Sequence, residues 1–143
     1  MITKGEVSLP ATVKRPLASM FVPDEVLPIT CQVGAILHGN DLRDVMTDRK
    51  AGITTTTLAL GDRFGRPLYI ALHLLPYPII AAAATLCAVT PWALLSFLAL
   101  PPSLAAVRVC LSGETHSLEG RAAGIHFLFG ALLSLGLLLA RLT

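Results

Sequence analysis

The chain has 143 residues, of which 54% are hydrophobic and only 14% charged, with a mean hydropathy of +0.71. Soluble domains carry about 25% charged residues, so that class is excluded. A net charge of +2 spread over scattered basic side chains likewise excludes a nucleic-acid binder. What remains is an all-α, multi-pass protein of the lipid bilayer.

Residues 1–26 mix Lys4, Glu6, Lys14, Arg15, Asp24 and Glu25 with Pro10, Pro16 and Pro23, and read as an irregular lead-in to a domain at 27–143. The lead-in holds no apolar run of signal-peptide length. Val26 to Gly39 then turns apolar. Fourteen residues of helix cover about 21 Å against a hydrocarbon core of about 30 Å, which makes this a partial span.

The partial span runs directly into NDLRDVMTDRK, residues 40–50, with three acids and three bases in a chain otherwise poor in charge. On a helix Asn40, Asp44 and Asp48 follow one another at i, i+4 and i+8, each about 40° round from the last. Carboxylates one turn apart repel by a few tenths of a kcal/mol unless a cation stands between them. Mg2+ suits such a place, because it takes oxygen ligands from one or two carboxylates and completes its shell with water and substrate phosphates. Arg43, Arg49 and Lys50 would then meet the phosphate oxygens, arginine as a fork and lysine as a point charge. Spacing alone equally suits a solvated helix end in an unrelated transporter.

Beyond the motif, Ala51-Gly52 ends the helix, and residues 51–66, with four consecutive threonines, read as a loop on the membrane surface. Three uncharged runs follow, at Pro67–Thr90, Pro91–Val107 and Ala122–Ala140, each long enough to span. Pro76 and Pro78 predict a kink in the first and Pro101-Pro102 a break in the second. Pro67 and Pro91 suit first turns of helices. The join at Thr90-Pro91 leaves almost no loop, so the first two spans pair antiparallel. The expected architecture is a transmembrane bundle of three full spans and one partial span.

Alternation of these spans places seven basic residues (Arg43, Arg49, Lys50, Arg63, Arg66, Arg108 and Arg121) on one side and Arg141 on the other. The richer side is cytoplasmic by the positive-inside rule, and the acidic motif lies there. Cys31, Cys87 and Cys110 have no metal-ligand spacing and read as small buried hydrophobes. His38 reads as interfacial, with a substrate contact as the alternative. His73 and His126, inside spans, read as neutral groups bonded to neighbouring helices, with a functional role as the alternative. Glu114, His116 and Glu119 read as solvated. Trp92, Tyr69 and Phe64 read as interfacial anchors. Phe127 and Phe129 read as lipid-facing, with an isoprenoid cavity as the alternative. Gly124, Gly130 and Gly136 suggest close helix packing.

The string AILHGNDLRDVMTDRKAGITTTTLALG, residues 35–61, resembles the second aspartate-rich motif of the UbiA superfamily of intramembrane prenyltransferases. It is most similar to the branch that prenylates 1,4-dihydroxy-2-naphthoate toward menaquinone and vitamin K. That branch has the pattern N-x-x-R-D-x-x-x-D-R-x-A-G, matched by Asn40, Arg43, Asp44, Asp48, Arg49, Ala51 and Gly52. Asp41 stands where an asparagine is usual, and Thr55-Thr56-Thr57 where the branch has Thr-Leu-Ala.

The resemblance implies a nine-helix bundle in which two aspartate-rich motifs bind Mg2+ and the diphosphate of a polyprenyl donor. Ionisation of that donor yields an allylic cation, which an aromatic quinol precursor attacks. Carried over, Asp44 and Asp48 become metal ligands supported by Asn40, and Arg43 and Arg49 bear on the diphosphate. Lys50 joins them on its charge and place alone. The first aspartate-rich motif is not found in residues 1–26, so the chain is expected to be the C-terminal part of such an enzyme, with the missing N-terminal half as a partner. A non-catalytic membrane fragment or helix-packing subunit is the alternative.

Overall fold

Glycine, proline and threonine punctuate an otherwise helical chain. The computed structural model describes residues 26–142, and every regular element among them is a helix. The expected lead-in at 1–26 lies outside the described residues except for Val26. Helix α1, Val26–Ala51, joins the partial span and the charged motif without interruption. Gly52 ends it with φ of 70°, a left-handed conformation that favours glycine. Arg49 and Lys50 occupy its last turn, where cations offset the exposed carbonyls.

Residues 51–66 are not the single loop expected. Thr55 caps a short helix, α2, Thr56–Leu60, by accepting a hydrogen bond from the Leu58 amide at 3.4 Å. Threonine is a poor interior residue but a good cap, and the flank of the threonine run is where that difference acts. Gly61, at φ of 71°, turns the chain into α3, Asp62–Leu74. Pro67 therefore sits inside this helix rather than at its start.

Helix α4, Pro76–Thr85, continues the direction after a break at Leu75, where Pro76 offers no amide proton. Together α3 and α4 supply one kinked candidate span, Arg63–Thr85. A turn follows, and the Thr90 hydroxyl accepts from the Trp92 amide to open a 3-10 helix, Pro91–Ala99. The expected break at Pro101-Pro102 takes the form of a change of winding. The chain passes from 3-10 to α geometry into α5, Leu100–Ser112, whose first turn needs no proline N–H. Gly113, at φ of 89°, ends α5. Helix α6, Leu118–Leu139, is about 33 Å long, a match to the hydrocarbon core. The segments Pro91–Ser112 and Leu118–Leu139 are the other two candidate spans.

Two side-chain clusters hold the bundle. The one nearer the motif joins Ala35 and Leu42 of α1 to Tyr69, Ala106, Leu118 and Ile125. The one at the far end joins Tyr77, Ile80, Ala93, Phe129 and Leu133. Tyr69 is therefore no interfacial anchor: it is fully buried, and its hydroxyl donates to the Leu118 carbonyl at 3.0 Å. Phe129 is equally buried, edge-on to Tyr77, whereas Phe127 faces outward at 78% exposure. Cys31 and Cys110 are buried as expected, but Cys87 lies exposed in the turn between α4 and the 3-10 helix. Of the four glycines of α6, Gly136 alone is a close-packing position, since a Cβ there would meet the Trp92 carbonyl.

Candidate functional site

The C-terminal half of α1 carries Asn40, Arg43, Asp44, Asp48, Arg49 and Lys50, the site residues expected from the sequence, and tertiary packing gives each a different surrounding. Gly39 lies against the backbone of Leu118 and Glu119, with 3.1 Å from a built Cβ to the Glu119 nitrogen. That approach draws the start of α6 up to the motif. His38 faces the other way, buried, with Nε2 2.7 Å from the Gly65 carbonyl; the proton on that nitrogen donates, which ties α1 to α3. It is a structural bond, not an interfacial histidine.

Arg43 is the centre of the site. Its Nε donates to Asp44 Oδ1 at 2.9 Å and its Nη2 to Asp44 Oδ2 at 2.8 Å, a two-pronged carboxylate contact. Nη2 also donates to Asn40 Oδ1, and Nη1 to Glu119 Oε2 from α6. Four of the five guanidinium N–H groups are thus engaged. Asp44 holds Arg43 more firmly protonated than a free arginine, and Arg43 in turn holds the Asp44 carboxyl below its ordinary range, with a smaller contribution from His116. Glu119, expected to be merely solvated, is instead the fourth member of this cluster.

Asp48 lies one turn beyond Asp44, half-buried, and has no ion-pair partner among the described residues. Arg49 and Lys50 are exposed at the helix end, equally without one. The structure therefore brings Asn40, Arg43 and Asp44 together and leaves Asp48, Arg49 and Lys50 open to other partners.

The sequence reading passed over Asp41. By helical geometry Asp41, Asp44 and Asp48 lie within a sector of about 60°, tighter than the Asn40-based set. Also missed were Thr47, Thr57, Arg66, Thr115 and His116, which with Arg43 line a cleft of about 660 Å³ beside α1. The i, i+3, i+7 spacing could have found Asp41. Nothing local points to Arg66 or His116, which reach the cleft from α3 and from the turn before α6. Glu114 in that turn is not simply solvated either. It accepts from the Ser117 hydroxyl at 2.6 Å and amide at 2.8 Å, and these bonds lower its pKa.

The donor chemistry of the acidic sector fits Mg2+, which seeks hard oxygen ligands. The geometry supplies only part of a coordination shell. Both Asp44 oxygens are covered by Arg43, and no group of three His, Cys, Asp or Glu side chains converges among the described residues. Asp48 and Asp41 offer the uncommitted carboxylates.

No family model matches the chain. Its sequence is similar to that of UbiA prenyltransferase domain-containing protein 1 from Homo sapiens, 33% identical over 114 residues, covering 80% of this chain and 33% of that protein. It is 30% identical over 119 residues to 1,4-dihydroxy-2-naphthoate octaprenyltransferase from Bacillus subtilis (strain 168), covering 80% of this chain and 38% of that protein. The Drosophila melanogaster homolog of the human protein is 30% identical over 107 residues, 74% of this chain and 29% of its own length. The chain spans about a third of the length of the curated relatives it matches. The chain belongs to the UbiA superfamily, as a partial counterpart of its prenyltransferases.

Proposed function

We propose that this chain is the C-terminal part of a UbiA-type prenyltransferase, the part that receives the diphosphate end of a polyprenyl donor for transfer to an aromatic quinol precursor. The observation that carries the reading is the clustering of Asn40, Arg43 and Asp44, with Asp48 one turn on, at the polar end of a helix whose other half lies in the bundle. The naphthoquinol branch is supported by the Bacillus subtilis relative, whose name specifies 1,4-dihydroxy-2-naphthoate as its substrate.

In this reading Asp48 and Asp44, with Asn40 behind them, would help hold Mg2+, which when bound supplies charge withdrawal from the leaving diphosphate. Arg43 is pre-aimed by Asp44 and Glu119. It keeps one N–H uncommitted and can trade a carboxylate for a phosphate oxygen at little cost in charge. Arg49 and Lys50, exposed on the last turn, add positive potential at the entrance. The greasy outer faces of the spans would carry the isoprenoid tail and bring its reacting carbon toward the acceptor.

The test is calorimetric titration of inorganic diphosphate into the full chain in lipid nanodiscs, with and without Mg2+. Binding that requires Mg2+ and disappears in both Asp44→Ala and Asp48→Ala is expected. Retention in both variants would remove the assignment.

The second reading, a non-catalytic membrane fragment, is favoured by the engagement of four of the five Arg43 N–H groups within the chain. Co-expression with a chain carrying the first aspartate-rich motif separates the two. Prenyl transfer restored by the pair supports the enzyme reading, and its absence despite assembly supports the fragment.

A further inference from the structure

Deep in the bundle, away from the motif, five polar atoms have no hydrogen-bond partner among the described residues. They are Gln32 Nε2 and Oε1, both ring nitrogens of His73, and Nδ1 of His126. Gln32 and His73 have no solvent exposure at all. Leaving such groups unpaired costs about 1–3 kcal/mol each even in soluble interiors, so their coincidence in one bundle needs a cause.

Helix register puts the three residues at one level. Gly39 of α1 abuts Glu119 of α6, and the helices run antiparallel. Gln32 lies seven residues before Gly39 and His126 seven after Glu119. Seven residues are close to two turns, so each stays on the face its anchor presents, about 10 Å deeper. On the other side of α1, His38 bonds Gly65 and Gly34 packs on Leu72 of α3, again antiparallel. That register carries His73 to the height of Gln32. Tyr69, one turn from His73 and 4.6 Å from its ring by centroid, packs with Ala35, Ala122 and Ile125, which turns this face of α3 toward α1 and α6.

We propose that Gln32, His73 and His126 form an internal polar site that holds one or two water molecules and fixes the height of α1 against α3 and α6. The valences match. Glutamine offers two protons and an acceptor, each neutral imidazole one of each, and water supplies two donors and two acceptors. Buried waters typically make about three such bonds. A metal ion does not suit the place, because two imidazoles and an amide bring no negative charge to offset a dication in the interior. The consequence reaches the motif, since Asn40, Arg43 and Asp44 ride on the same rigid helix as Gln32.

Synchrotron hydroxyl-radical labelling of the full chain in nanodiscs tests the site directly, because radicals generated from bound water attack adjacent side chains. Labelling at His73, which is as fully buried as Leu133, well above the Leu133 level is expected. Labelling at or below the Leu133 level would overturn the proposal. Stability gives a second measure. With water present, Gln32→Leu strands it and lowers the thermal midpoint by a few degrees, and adding His73→Leu and His126→Leu recovers part of the loss. A midpoint that rises in Gln32→Leu alone would mean the three groups are dry and unpaired. Should the variants fail to fold, the labelling of the unaltered chain still decides.

Discussion

Arg43 shows how one side chain can serve both folding and recognition. Its partner Glu119 is 76 positions away, brought within reach because Gly39 lets α6 approach α1. The cluster is half-exposed, so solvent and salt screen it and its share of stability is modest. Its share of function is tested by Glu119→Gln, which removes the negative charge holding one Nη1 N–H of Arg43. Affinity for Mg2+-diphosphate is expected to rise roughly two- to fivefold, read by calorimetry, while a fall would mean that Glu119 itself faces the ligand. Acid should loosen the same cluster. The folded-state pKa values of Asp44 and Glu114 are depressed by Arg43 and by Ser117 respectively. Their contributions are therefore complete above the ordinary carboxylate range and are lost as pH falls through the lowered folded values. A melting midpoint that declines below about pH 4, and declines less in Asp44→Asn, is the expected result. Asp44 itself was legible in the sequence from its neighbours. Its covering by Arg43 was not, because side chains at i and i+1 on a helix ordinarily point apart and only the length of arginine bridges them.

Among the elements, small residues decide which helices meet. A Cβ at Gly39 would stand 3.1–3.2 Å from the backbone of Leu118 and Glu119, and one at Gly136 would collide with the Trp92 carbonyl. Neither neighbour is a flexible side-chain tip, so Gly39→Ala and Gly136→Ala must push whole helices apart. Each is expected to destabilise by about 1–3 kcal/mol in thermal unfolding in lipid. Gly124→Ala, with nothing within 4 Å, should instead gain up to about 1 kcal/mol from helix propensity. Equal effects at the three positions would refute the packing argument. The sequence announced the spans by length and hydropathy and their kinks by proline. It did not announce which glycine is a contact, because Gly124, Gly130 and Gly136 look alike until the 3-10 helix lies against the last of them. For the same reason Tyr69 and Phe129 resemble lipid-facing aromatics in a chain where apolar residues occupy every face. Hydropathy has no contrast there, and only the facing helix distinguishes core from surface. The threonine run misled differently: its propensity argues against helix, and its one capping hydroxyl at Thr55 starts one.

At the scale of the whole molecule, the charged motif and the turn at residues 86–90 lie at opposite ends of the bundle. Helix α1 delivers Asp44 and Asp48 to one end, and α3 and α4 cross from that end to Cys87 at the other. Seven basic residues gather at the motif end against Arg141 at the far one, a bias that sets orientation during insertion. A diphosphate is soluble and charged and a polyprenyl tail is neither, so an enzyme that separates the two needs its polar mouth where the donor's head group is supplied. Orientation is thus part of the functional proposal and can be measured apart from catalysis. Cys87 is exposed while Cys31 and Cys110 are buried, so a membrane-impermeant maleimide reports on one position in the unaltered chain. In sealed vesicles of known sidedness, Cys87 should react only from the non-cytoplasmic face. A thiol introduced as Thr115→Cys, in the turn before α6, should react only from the cytoplasmic face. Reaction of both from one side would break the three-span topology. Reaction of each from the reverse side would keep the topology but place the acidic motif away from the cytoplasm, and the donor would then have to reach Asp48 from the other compartment.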